Sequence, residues 1–101
     1  MNIFIKLSKW GVTVKSTYEL FALIGKNMKS IRQNIVGKSQ EKFAEDAGMS
    51  RSFISHVESP NFDKGVSLDT LFYLAQIYNF DIRMFFDGYE ELMSKDNKND
   101  K

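Results

Sequence analysis

Arg51, Ser52, Ser55 and His56 are the residues of this chain whose types and spacing best suit chemical recognition. All four carry hydrogen-bonding side chains, and their spacing places them on the outer side of one short helix. An arginine fork can bond both acceptors on a guanine edge, which supplies discrimination of about 1–3 kcal/mol. Serine and neutral histidine serve as shorter readers. Together they could read base edges in the major groove of DNA. For Arg51 the alternative is a solvated surface arginine, and for His56 a solvated helix face. Phe53, between them, could touch a thymine methyl or cover the edge of a core.

The elements that must hold these residues are legible in QEKFAEDAGMSRSFISHVES, residues 40–59. Phe43, Ala44 and Ala47 recur at helical spacing. Gly48 stops that helix, because glycine enters the left-handed region without steric cost. Ser50 is a good N-cap for a second helix, whose apolar stripe is Ile54 and Val57. Ala44 is small enough to let the two helices cross closely. A helix-turn-helix needs this arrangement to hold its second helix out toward the major groove. Gln40 opens the first of the two, where its side chain and free backbone N–H groups suit a phosphate; the alternative is a plain helix-start residue.

With the flanks IGKNMKSIRQ and SLDTLFYLAQIYNFDIRMFF, the stretch SQEKFAEDAGMSRSFISHVE resembles the Cro and lambda-repressor-like domains of the XRE family, from Ile24 to Phe86. The resemblance implies an all-α, five-helix lambda-repressor-like DNA-binding domain. It supports Arg51, Ser52 and His56 as base readers and implies that Gln40 clamps the DNA backbone. Lys38, Lys42, Ser59 and Asn61 are weaker phosphate candidates, in loops or at helix ends near the same face. The resemblance also implies a structural salt bridge between Glu58 and Arg32, fixing the angle of the reading helix. Arg32 precedes Gln40 by eight residues, one more than is usual in the family, and Lys38 stands where an apolar residue is common. A one-residue insertion is expected, with Ile35 or Val36 supplying the missing core contact.

Three segments follow from the pattern. Residues 1–15 form an N-terminal extended arm: Ile3, Ile5 and Leu7 alternate with Phe4 and Lys6, and Val12 and Val14 flank Thr13, which predicts a strand or short hairpin. Such an arm packs on its own helices, pairs with a second subunit or stays mobile. Residues 16–93 form the helical domain. Its first helix opens with a Ser16–Glu19 capping box and carries Phe21, Ile24, Met28, Ile31 and Ile35 on one face. Ser67 caps a fourth helix with Leu68, Leu71, Phe72, Ala75 and Ile77-Tyr78 as its apolar face. Asp81 caps a fifth, with Ile82, Phe85 and Phe86 turned inward. Tyr89, Leu92 and Met93 extend a last turn. Residues 94–101, SKDNKNDK, read as a polar, frayed tail.

The chain has 101 residues, 43% hydrophobic and 14% aromatic, an ordinary composition for one globular domain. With no cysteine there is no disulfide framework or thiolate chemistry, and the single histidine has no second ligand of ordinary type for a metal. No cofactor and no metal are expected. No catalytic constellation is visible, so an enzyme is not expected. No apolar run suggests a membrane span or a signal peptide, so a cytoplasmic protein is expected. The net charge of +1 is unevenly spread. Residues 1–51 hold nine basic and four acidic side chains, a balance of +5, whereas residues 52–101 hold five and nine, a balance of −4. The basic half contains the start of the reading helix, which suits docking on DNA.

These readings converge on a sequence-specific regulator of transcription, most simply a repressor bound as a homodimer to an inverted-repeat operator in double-stranded DNA. A small-molecule effector is not expected in so short a chain; control by concentration, dimerisation or a partner protein is. The alternative is a protein-interaction module, such as an antitoxin that masks a toxin.

Overall fold

A computed structural model describes residues 6–7, 13–14, 17–60 and 65–99. Its order is a short strand pair followed by helices. Strands β1 (Lys6–Leu7) and β2 (Thr13–Val14) pair antiparallel, with Lys6 opposite Val14 and Leu7 opposite Thr13. Helix α1 spans Thr17–Ser30 and runs into a π-helical turn over Ile31–Val36. Then come α2 (Gln40–Ala47), α3 (Arg51–Glu58) and α4 (Leu68–Ile77), a 3-10 helix at Ile82–Phe86, and α5 (Tyr89–Asn99). The fold is all-α, with the strand pair confined to the arm. The expected Ser16 cap lies outside the described residues.

Local chemistry sets the helix ends. The Ser39, Ser50 and Ser67 hydroxyls accept from the backbone N–H groups of Lys42, Phe53 and Thr70 at 3.1, 3.0 and 3.1 Å. Each satisfies one of the donors that a helix N-terminus leaves free. Gly48 ends α2 at φ 71°, the left-handed value that turns the chain toward α3. The Asp81 carboxylate accepts from the Arg83 backbone N–H at 2.9 Å and starts the 3-10 helix.

The core joins α1 to α4 and the 3-10 helix around Met28, Phe43, Ile54, Val57, Leu71, Leu74 and Phe85, all fully buried. Each large apolar side chain so buried contributes about 1.5–3 kcal/mol. Phe43 stacks on Tyr78 with ring centroids 4.5 Å apart, and the Tyr78 hydroxyl donates to the Phe43 carbonyl at 2.6 Å. The Tyr73 hydroxyl donates to the Ala47 carbonyl at 2.8 Å, so Tyr73 of α4 and Tyr78 at its C-terminal end tie that helix to α2. Where α1 crosses α3 the backbones touch: a Cβ on Gly25 would stand 2.1 Å from the Val57 carbonyl oxygen.

Three sequence expectations are corrected here. Ile35 is 57% exposed, and Val36 is the residue that packs on the core. The π turn takes in more residues than an α-helical turn, so the apolar stripe of α1 steps five residues, from Ile31 to Val36. The inward face of α4 is Leu71, Leu74 and Ala75, continued by the half-buried Tyr78 that caps the helix, three, four and seven residues after Leu71. Leu68, Phe72 and Ile77 are exposed because one face of a ten-residue helix cannot present them as well. The short fifth helical segment, of 3-10 type, turns Ile82, Phe85 and Phe86 inward as expected, Phe85 fully buried and the other two packed against the core. The last helix, α5, runs to Asn99, six residues past the expected end at Met93. Glu90 and Glu91 sit in its first turn, where acidic charge complements the helix dipole.

Candidate nucleic-acid interface

Helix α3 separates an inward from an outward side. Ile54 and Val57 are buried, and Phe53 packs half-buried against the core, the structural role of its two alternatives. Arg51, Ser52 and His56 are exposed, with Ser55 half-buried beside them. The four candidate readers therefore share one outward arc beginning at the first turn. None has a hydrogen bond or ion pair from its side chain among the described residues, which leaves their donors and acceptors available.

Behind that arc lies a buried polar network. Arg32 is 6% exposed. Its Nε donates to Glu58 Oε2 at 2.7 Å and its Nη2 to Glu58 Oε1 at 2.9 Å, a bidentate pair between the π turn and α3. Its Nη1 donates to the Lys38 carbonyl at 2.8 Å. Gln40 Nε2 donates to the same Glu58 Oε1 at 3.0 Å. One carboxylate thus fixes the end of α3, the start of α2 and the guanidinium of Arg32. Among the described residues no buried side-chain polar atom is left without a partner.

The eight-residue spacing from Arg32 to Gln40 does not displace this network. The Arg32 carbonyl accepts from the N–H of Gly37 at 2.7 Å and of Lys38 at 3.1 Å, bonds five and six residues along the chain. A wide π turn absorbs the extra length. Arg32 then holds Lys38 from both ends, by its carbonyl and by its guanidinium, and still faces Glu58.

The phosphate candidates divide. Gln40 stands at the N-terminus of α2, half-buried, with its amide oriented by Glu58. Lys38 and Lys42 are both engaged by Asp46: Lys38 Nζ with Oδ2, and Lys42 Nζ with Oδ1 at 3.2 Å. Lys42 also lies 3.9 Å from Glu45. The Lys38 ammonium sits 5.3 Å from the Tyr78 ring centroid. Ser59 ends α3 with its N–H on the His56 carbonyl at 3.1 Å. Asn61 lies outside the described residues. Sequence reasoning misses Asp46 and Tyr78 as parts of this surface; the repeat of Lys38, Lys42 and Asp46 at intervals of four signals Asp46, whereas Tyr78 joins through tertiary contacts alone.

Among the described residues no group of three histidine, cysteine or acidic side chains could hold a metal ion, and no helix is long and apolar enough to cross a membrane.

Two helices joined by a Gly48 turn, the second with a polar outward arc, define a helix-turn-helix domain. Residues 28–85 match the helix-turn-helix family model, and the chain belongs to that family, in its XRE branch. It is thereby placed among DNA-binding regulators of transcription, a regulatory rather than an enzymatic family. Comparison with curated proteins and with solved structures finds no significant match.

Proposed function

We propose that this protein is a sequence-specific repressor that binds an inverted-repeat operator as a homodimer in the cytoplasm. The observation that carries the reading is the arc of Arg51, Ser52, Ser55 and His56 on α3, solvent-facing and braced from behind by the Arg32–Glu58–Gln40 network. Arg51 and Ser52 lie in the first turn, the part of a recognition helix that enters the groove deepest. Gln40 and the free N–H groups of α2 fix the register on the phosphates. Two copies related by a two-fold axis place their α3 helices about 34 Å apart, one turn of the duplex. Repression follows from occupancy, and control from protein concentration or a partner protein.

The test is selection of bound duplexes from random DNA, followed by titration of a selected duplex at several salt concentrations. A palindromic consensus and a slope of log K against log salt on the order of −3 to −5 for the dimer are expected, because neutral donors release few counterions. No enrichment with a slope near zero would favour the protein-interaction module instead. A steep slope without sequence preference would remove α3 as the reader.

A further inference from the structure

Lys38, Lys42 and Asp46 are spaced by four, and the two ammonium groups converge on one carboxylate. Helix stability does not account for the arrangement. Asp46 lies in the last turn of α2, where a negative charge opposes the helix dipole. Lys42 precedes Asp46, the less favourable order for a pair four residues apart. Exposed pairs of this kind contribute little to folding; here the Lys38 and Asp46 side chains are 32% and 31% exposed, and that of Lys42 is 56%.

The arrangement does change what the start of α2 offers to an anion. Lys38 lies just before Ser39, the N-cap, and Lys42 in the first turn, next to Gln40. Hydrogen bonds from Lys38, then from Lys42, hold the Asp46 carboxyl below the usual carboxylate range, so it is ionised at neutral pH. The three side chains then carry +1 between them rather than the +2 of two free lysines. A phosphate approaching here must exchange one ion pair for another.

We propose that Asp46 is a resident counter-ion that competes with DNA phosphate for Lys38 and Lys42 and so sets the strength of sequence-independent binding. This rests on the DNA reading above. Asp46 acts through the two lysines and is a positioning residue. Its carboxylate lowers affinity for every duplex alike and leaves discrimination to Arg51 and its neighbours on α3.

The experiment compares wild type with Asp46→Asn on a selected duplex and on a random-sequence duplex, across a salt series. The variant should bind both duplexes more tightly at low salt, by roughly tenfold, with a slope steeper by about 0.9 per subunit for each lysine freed. The ratio between the two duplexes should not change. Adding Lys38→Ala and Lys42→Ala to Asp46→Asn should abolish the gain. Thermal melts by circular dichroism establish that each variant folds, and Asp46→Ser repeats the comparison if the asparagine variant does not. A wild type that binds the selected duplex, with Asp46→Asn showing the same slope and affinity, would overturn the proposal and leave the DNA reading intact. A gain that survives loss of both lysines would overturn it too. Folded proteins that bind neither duplex would reject the DNA reading itself.

Discussion

Arg32 grips Glu58 through two parallel hydrogen bonds, 2.7 and 2.9 Å long, that join the π turn after α1 to the last turn of α3. Their side chains are 7% and 3% exposed, so each charge depends on the other for its solvation. The pair is also the back wall of the candidate DNA surface, because Gln40 hangs from the same carboxylate.

Removing one partner strands a buried charge. Arg32→Ala and Glu58→Ala are each expected to lose about 3–5 kcal/mol of stability in urea denaturation. The double replacement Arg32→Met with Glu58→Leu should lose less than the two single losses together. Full additivity would mean that the two side chains act independently.

At Gly25 the expected effect is steric. Gly25→Ala drives a methyl into the Val57 carbonyl, a backbone atom that moves only with α3. A loss of about 1–3 kcal/mol or more is expected, with weaker DNA binding as α3 shifts. An alanine variant with an unchanged denaturation midpoint would contradict the close crossing of α1 and α3.

On DNA, Arg51→Ala should weaken binding to the selected duplex by about 1–3 kcal/mol and relax preference at one base pair. Ser52→Ala should act in the same direction. Gln40→Ala should weaken selected and random duplexes alike, since phosphate contacts carry no base information. Gel shifts on both duplexes measure this; undiminished selective binding by the Arg51 variant would remove α3 from the reading role.

Assembly is tested by deleting residues 1–15. If the arm, with Ile3, Ile5 and Trp10, is the dimer element, sedimentation should show weaker association. A truncated protein that stays a tight dimer moves the role to the C-terminal end, where Tyr89 is exposed while Phe86 and Leu92 are half-buried. The exposed Leu68, Phe72 and Ile77 of α4 offer further apolar surface. A full-length protein that remains monomeric at high concentration, with and without DNA, rejects the homodimer.

Acid dependence should be visible at Asp81. Hydrogen bonds from the Arg83 side chain and backbone lower its pKa from 3.8 to about 2. A depressed folded-state value gives stability that is present above the unfolded pKa and lost as pH falls through the folded one. Asp81→Asn keeps a good N-cap but removes the charge. The gap in denaturation midpoint between wild type and this variant should therefore be constant above about pH 5 and close between about pH 4 and pH 2. A gap that does not depend on pH would show that the Arg83 contact does not stabilise the folded state.

Local signals carry most of what is legible in the residues alone. Ser39, Ser50 and Ser67 before apolar-periodic runs mark three helix starts, and Gly48 marks the turn, because capping and backbone sterics involve only neighbours in the chain. Four outward residues on α3 follow from the same periodicity. Tertiary structure decided what those rules leave open. Whether Ile35 or Val36 enters the core depended on a π turn that keeps Arg32 aimed at Glu58, a partner 26 residues away. Which apolar residues of α4 are buried depended on where Phe43 and Ala47 of α2 present a stacking face and a free carbonyl to Tyr78 and Tyr73. The engagement of Lys38 and Lys42 by Asp46 is a matter of side-chain reach, which spacing permits but only a packed fold selects.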